Sequence, residues 1–346
     1  MKKLFLTLST LLAFGLTQAV AQERVNVWAS AFYNLENLFD TEDDPNNTGD
    51  NDFLPHGAYH WTSDKYEQKL GNIARVLGDL ARPTVPAGPA FIGVAEVENR
   101  RVLEDLCARP ELAAMNLQVI HREGPDRRGI DVGLLYNPML FTPTSEAYYQ
   151  FHYDGAPEDY RTREILVVTG NMAGERFGVV VGHWPSRYGG KKSSGFRKAS
   201  AMISRHIYDS LRVAEPDMKV VICGDFNDDP NDESVMEGLQ TSTTKAATPK
   251  GGLFNPTWAL HHRGIGTLAY QDQWNFFDQQ VVSDNLLGSD RSTLKFWKVE
   301  VFNPPYLLTP AGKYKGYPWR SFSGNVWQNG YADHLPTIVY YVKQQH

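Results

Sequence analysis

The chain reads as one α/β domain with more than one sheet, and three observations predict it. Short β-type runs alternate with helical patterns along the whole length beyond the first two dozen residues. No internal repeat and no Gly-, Ser- or Pro-rich linker divides the chain. Its 346 residues, 42% hydrophobic and 21% charged, allow one large domain or two ordinary ones, and without a linker one is the simpler account.

The first residues stand outside that domain. Lys2 and Lys3 form a basic segment, residues 4–16 an apolar run, and Ala19-Val20-Ala21 a small-residue cleavage site before Gln22. The run is too short and wrongly flanked for a spanning helix, and no cysteine follows it for lipid attachment. A signal peptide cleaved after Ala21 is therefore expected, leaving residues 22–346 as the mature domain, secreted or periplasmic. Cleavage removes two lysines and no acids, moving the net charge from −6 to −8. A protein held on nucleic acid by overall charge alone is excluded, though a local basic patch or a bound cation would serve. Export permits disulfides, but Cys107 falls in a predicted helix and Cys223 in a buried run, so two unpaired buried thiols are expected.

In chain order, strands are predicted at 25–33, 90–95, 117–121, 130–136, 165–169, 177–183, 219–223, 277–283 and 335–342, each rich in Val, Ile, Leu, Phe or Tyr. Asp64-Lys65-Tyr66-Glu67 resembles a capping box, and Tyr66, Leu70, Ile73, Leu77 and Leu80 follow at helical spacing. A shorter helix is expected over 102–107. Another carries Phe196, Ala199, Met202, Ile203, Ile207 and Leu211 and stops before Pro216.

Two stretches are irregular. In 41–52, Asp44, Asn46, Thr48, Gly49, Asp50 and Asp52 partly imitate a calcium loop. Pro55 stands where the bidentate Glu belongs and no helix enters, so a structural Ca²⁺ site competes with a plainly solvated loop. Residues 304–331 place Tyr306, Tyr314, Tyr317, Trp319, Phe322, Trp327 and Tyr331 among Gly and Pro, either as a binding loop or as a satellite cluster on the domain.

Polar residues sit at or just beyond the ends of the apolar strands. Asn34-Leu35-Glu36-Asn37 follows the first, and Glu96 closes Phe91 to Ala95. A lone buried acid there costs several kcal/mol (about 2–7) without a partner. His183 ends another run, Asp225 and Asn227 another, and Asp278 and Asp333-His334 flank two more. Residues two apart in extended chain point the same way, so Asp225 and Asn227 can address one small target. Each has a plain alternative as an Asx turn, salt bridge or satisfied core histidine, but their coincidence at strand ends argues for one site.

Those residues resemble the endonuclease/exonuclease/phosphatase superfamily, the group of pancreatic deoxyribonuclease, abasic-site endonucleases, inositol polyphosphate 5-phosphatases and bacterial sphingomyelinases. Asn34, Glu96, Gly224-Asp225-Phe226-Asn227, Asp278 and Asp333-His334 occur in that group's order, over about residues 25–343, and Arg128 to Tyr136 resembles a shared strand. The resemblance implies a four-layer α/β sandwich, two mixed β-sheets packed face to face with helices outside. It implies a Mg²⁺ (or Mn²⁺) ion on Glu96, with Glu36, Asn34 and Asp333 around it. It makes Asp225 the residue that orients or deprotonates water, with Asn227 fixing its position. His183 and His334 would face the phosphate as imidazoliums, Asp278 holding His334 and Glu123 holding His183. Arg163 would touch phosphate.

A histidine at 183 favours the deoxyribonuclease, sphingomyelinase and phosphatase branches over the abasic-site one. The phrase Tyr33 to Asp40 resembles secreted bacterial members. Trp184 to Lys192 is a basic, glycine-bearing loop that would supply a local positive patch or merely be solvated. A phosphodiesterase acting on nucleic acid is the first expectation. A phosphatase or a lipid phosphodiesterase using Trp319 and Trp327 against a membrane or head group is the second, and a non-catalytic binding protein the third. No stable protein partner is expected.

Overall fold

The computed structural model describes residues 24–45, 47–153 and 155–345; the expected signal peptide lies outside them. β1 (Val25–Leu38) is followed by α1 (Ser63–Asp79), β2 (Phe91–Val97), α2 (Arg100–Cys107), β3 (Gln118–His121) and β4 (Asp131–Tyr136). Then come β5 (Phe141–Tyr149), β6 (Ile165–Met172), β7 (Glu175–His183), α3 (Lys191–Ala214) and β8 (Lys219–Asp225). Short pieces follow: β9 (Thr241–Ser242), β10 (Leu253–Phe254), α4 (Trp258–His261), β11 (Leu268–Tyr270) and β12 (Gln273–Asn275). The chain closes with β13 (Asp278–Ser283), β14 (Lys295–Val301), β15 (Phe322–Ser323), β16 (Val326–Trp327) and β17 (Thr337–Gln344).

Two mixed sheets result, in the orders β14-β17-β1-β2-β4-β3 and β5-β6-β7-β8-β13-β10-β9. Strand alternation decides the layers. Phe32, Phe91, Val132 and Leu134 of the first sheet meet Phe177, Val179, Val181, Val221 and Cys223 of the second in one buried cluster. Their neighbours Ala31, Tyr33, Ile92 and Val94 turn outward to pack under Leu70, Ile73 and Leu77 of α1 and Leu103 and Leu106 of α2. On the far side Val180, Val220, Ile222 and Val281 meet Ala201, Ile207 and Tyr208 of α3. The order helix, sheet, sheet, helix is the expected four-layer sandwich, and each such buried side chain contributes roughly 1.5–3 kcal/mol. At Gly93 a Cβ would lie 3.1 Å from Cys223 Sγ, so the sheets approach closely there and a larger residue would force its neighbours to shift. Ser30 Oγ donates to Gln280 Oε1 at 2.8 Å across the interface, and Gln280 Nε2 donates to the Thr337 carbonyl at 2.9 Å, fixing the sheets' relative offset.

β5 and β14 go unpredicted for one reason. Each is the outer strand of its sheet, and such strands carry exposed and charged side chains that blunt edge pairing and erase an apolar run. α1 is capped two residues earlier than the sequence suggests, Thr62 Oγ1 accepting the Lys65 N–H, while Asp64 lies inside the first turn. Lys191 and Lys192 belong to the first turn of α3 rather than to a loop. Arg187 is no free positive patch either: it is held by Asp228, Asp229 and Asp232 and by the Asn227 carbonyl. Trp319, Phe322, Trp327 and Tyr331 pack on the core beside Trp61, which makes that half of the aromatic segment a satellite cluster. Among the described residues, 41–52 gathers no group of three His, Cys, Asp or Glu ligand atoms of the kind a bare Ca²⁺ site needs. Asp50 accepts the Asp44 N–H at 2.8 Å, and Asn46 of that expectation lies outside the described residues.

Cys223 is buried and Cys107 half-buried, and both are free. Burial, with Glu104 nearby, pushes the Cys107 thiol up to about 12, and burial pushes Cys223 higher still. Neither is expected to react with a thiol reagent at pH 8 in the folded protein, and both should react on unfolding, as a colorimetric thiol count would record. At Gly224 a Cβ would fall 2.1 Å from the Gly182 carbonyl oxygen. Gly224→Ala should therefore cost about 3 kcal/mol, read as a lower midpoint in urea denaturation.

Candidate active site

Strand register builds the site. β7 and β8 run parallel with His183 opposite Asp225, and β13 runs antiparallel to β8 with Asp278 opposite Asp225. Three residues expected from sequence thus form one row across three neighbouring strands. In the other sheet β1 and β2 run parallel and β17 antiparallel, so the ends of β1 and β2 and the start of β17 reach the same rim. The ladder shifts register between Asn34 and Leu38 and between Ala95 and Val97. Glu36, Asn37 and Glu96 take left-handed backbone there, with φ of 50°, 54° and 59°. Such conformations cost non-glycine residues roughly 1–2 kcal/mol each. Hydrogen bonds offset part of that: Glu96 Oε2 accepts the Asn37 N–H at 3.0 Å and Asn34 Oδ1 accepts the Glu36 N–H at 2.9 Å.

Asp225 is the hub. Its Oδ1 accepts the Asn227 N–H at 2.9 Å and its Oδ2 accepts from Asn34 Nδ2 at 3.0 Å. His183 Nε2 stands 3.5 Å and His334 Nε2 3.8 Å from that same Oδ2. Burial raises the Asp225 carboxyl to about 6, His334 opposing the rise and Asp278 adding to it. His334 Nδ1 lies 2.7 Å from Asp278 Oδ2. Burial alone would lower His334, but Asp278 and Asp225 outweigh it and hold the ring well above its ordinary value. Asp278 is in turn oriented by its N–H donating to Thr267 Oγ1 at 3.2 Å. Asn227, itself left-handed at φ 50°, donates through Nδ2 to the Trp184 carbonyl at 3.0 Å, so its carboxamide oxygen is the end left to address a ligand.

A second network lies under Glu36. Its Oε1 accepts from Arg320 Nε at 3.2 Å and its Oε2 from the Ser321 N–H at 2.6 Å, while Arg320 Nη2 donates to Asp333 Oδ2 at 2.9 Å. Lys69 of α1, fully buried, donates to Ser321 Oγ and to the Tyr331 carbonyl. Burial raises Glu36 to about 7 and lowers Lys69 to about 8, each partly opposed by the other's charge. Arg128, half exposed, reaches Glu96 Oε1 at 3.4 Å and Asn37 Oδ1 at 2.6 Å. Lys69, Arg128 and Arg320 were not singled out by sequence. One signal was available for Lys69, since with Tyr66, Leu70 and Ile73 it lies on the apolar stripe of α1, where a lysine needs a reason.

Three expectations change. Glu123 is exposed, and the acids facing His183 Nε2 are Asp225 and, at 3.9 Å, Glu96. His183 is not held as an imidazolium: burial, then Arg163, Arg128 and His334, push it well below its ordinary value. Arg163 is buried and turned onto backbone. Its Nε donates to the His183 carbonyl at 3.2 Å, its Nη2 to the Trp184 carbonyl at 2.8 Å, and Nη1 pairs with Asp126. It braces the end of β7 instead of reaching a phosphate.

The donor set suits a hard divalent ion. Ligand atoms of Asp225, Asp278 and His334 lie within 4.8 Å of one another, and Asp278 Oδ1 is buried without a hydrogen-bond partner, while among the described residues Glu36, Glu96 and Asp333 join no such group of three. Glu36 and Glu96 each accept from protein donors at both oxygens, whereas Asp333 accepts from Arg320 at Oδ2.

The sequence matches the model of the endonuclease/exonuclease/phosphatase family over residues 29–343. No curated protein matches it. Similar solved structures include an endonuclease/exonuclease/phosphatase family protein from Bacteroides thetaiotaomicron, 15% identical over 94% of this chain and 99% of that one, with a TM-score of 0.54. D. rerio TDP2 complexed with a single-strand DNA product is 13% identical over 91% and 98%, TM-score 0.53. The B. thetaiotaomicron mannosyl-6-phosphatase Bt3783 is 14% identical over 91% and 99%, also with a TM-score of 0.53. At these identities the likeness establishes the two-sheet fold.

Asp278→Asn keeps the side chain's size and removes the charge that holds His334. Turnover of a phosphoester should fall about 10²–10⁴-fold with an unchanged circular dichroism spectrum, and normal turnover would take Asp278 out of the site.

Proposed function

Because the chain belongs to the endonuclease/exonuclease/phosphatase family, a family of phosphoester hydrolases, we propose that it is an exported, Mg²⁺-dependent phosphodiesterase that cleaves nucleic acid without sequence preference. The observation that carries this reading is the row His183, Asp225 and Asp278, with His334 spanning the two acids. Asp225, hydrogen-bonded by Asn34 and by the Asn227 N–H, orients a water and takes its proton as the oxygen attacks phosphorus in line with the leaving oxygen. His334, kept protonated by Asp278, faces the charge that builds on phosphate oxygens, and neutral His183 offers a further polar edge beside it. Glu96, with Asp333 and Asn34 around it, would hold Mg²⁺ or Mn²⁺, which supplies Lewis-acid stabilisation of phosphate charge when bound. No covalent bond to the protein is required.

The leader-like first 21 residues motivate the assignment of export. The likeness to TDP2 with a DNA product supports nucleic acid as substrate. A phosphomonoesterase is the second reading, favoured by the likeness to a mannosyl-6-phosphatase. The lipid reading loses its anchor, because Trp319 and Trp327 are packed on the core.

Plasmid DNA, RNA, p-nitrophenyl phosphate, inositol phosphates and sphingomyelin should be offered to the purified mature protein with Mg²⁺ and then with EDTA. Nicking of plasmid and degradation of RNA are expected, abolished by EDTA and reduced about 10³-fold in Asp225→Ala. Activity that survives EDTA or the Asp225 substitution overturns the mechanism. Cleavage of phosphomonoesters alone replaces the first reading with the second.

A further inference from the structure

Arg320 stands at the edge of the site, half exposed, with two of its five N–H donors committed to Glu36 and Asp333. Its Nη1 takes no partner among the described residues, so the open side of the guanidinium fork is available to a ligand. The residue it pairs with, Asp333, directly precedes His334, the partner of Asp278.

What holds Arg320 in place is unusual. Lys69 is completely buried, on the helix face it shares with Tyr66, Leu70 and Ile73. A buried ammonium is costly, and an apolar residue there would pack without that cost. Its Nζ binds Ser321 Oγ and the Tyr331 carbonyl, which are the two stems of the segment carrying β15 and β16. The Ser321 N–H then fixes Glu36 Oε2, and Glu36 Oε1 fixes Arg320 Nε. An unbroken chain of contacts runs from a buried lysine to an exposed guanidinium.

We propose that Arg320 contacts the phosphate oxygens of the substrate and that Lys69 is the positioning residue that holds it there. The proposal rests on the phosphoester reading and deepens it. A planar fork matches phosphate geometry in a way a lysine at the same place would not, and the fork's orientation is set from both acids rather than left free. Arg128, paired with Glu96 and Asn37 on the neighbouring strand ends, is a second guanidinium held by acceptors of the same rim.

Isothermal titration of inorganic phosphate into the Mg²⁺-loaded protein tests it, together with KM and kcat on whichever ester the wild type cleaves. Arg320→Gln and Lys69→Met should each weaken phosphate binding about tenfold or more and raise KM more than they lower kcat. The double variant should bind no more weakly than Arg320→Gln alone, since Lys69 acts through Arg320. Ser321→Ala removes one Lys69 partner without deleting the buried charge and should show part of the loss even where Lys69→Met fails to fold. Arg100→Gln, which deletes an equally exposed cation on α2, should bind phosphate as the wild type does. Wild-type binding by Arg320→Gln, an equal loss in Arg100→Gln, or independent losses that multiply in the double variant would overturn the proposal. A wild-type protein that takes no phosphate would instead bring down the phosphoester reading, and this proposal with it.

Discussion

Asp225 and Asp278 face each other in an antiparallel pair, where two like charges oppose pairing of the strands. The arrangement persists because His334 sits against both, 2.7 Å from one carboxylate and 3.8 Å from the other. That histidine does not come from either strand. It lies three residues before β17, which belongs to the opposite sheet. The charge balance of one sheet is therefore completed from the segment that leads into the other, and the site exists only when the two are docked. The apolar interface that docks them, and the Ser30 and Gln280 contacts that set its offset, thereby determine the catalytic geometry as well as the stability.

Around that centre, side chains with long polar reach are used to fix backbone. Arg163 ties down the carbonyls of His183 and Trp184, Asn227 ties the Trp184 carbonyl to the end of β8, and Arg187 fastens the Asn227 carbonyl against a group of three aspartates. Trp184 and Phe226 stack at 4.1 Å beneath these contacts. Donors and acceptors held in this way need little rearrangement when charge develops, which is the physical content of a preorganised site.

Strands buried on both faces announced themselves in the sequence as continuous Val, Ile and Phe runs, and their polar ends announced the rim. Asn34, Glu96, His183, Asp225, Asp278 and His334 were legible for that reason. β5 and β14 were not, because edge strands advertise charge rather than burial. Arg163 and Glu123 were assigned roles by their place in a family pattern, and place in a pattern says nothing of which way a side chain turns. Arg163 turned inward to carbonyl oxygens and Glu123 outward to solvent. Lys69 and Arg320 escaped because their significance lies in a chain of contacts joining residues some 250 positions apart, which local spacing does not encode.

The pairing of β1 with β17 has a consequence at its other end. Val25 lies opposite Gln344, and the Gln345 N–H donates to the Arg24 carbonyl at 2.9 Å. Asn34 is nine residues further along the same strand, about 30 Å away at the usual rise. The first and last described residues thus meet at the end of β1 opposite the catalytic rim. The ends are close enough to be joined and the chain reopened in an exposed loop as a circular permutant, without touching a residue that binds substrate. Equally, a tether fused to either end would hold this hydrolase to a surface with its rim facing outward.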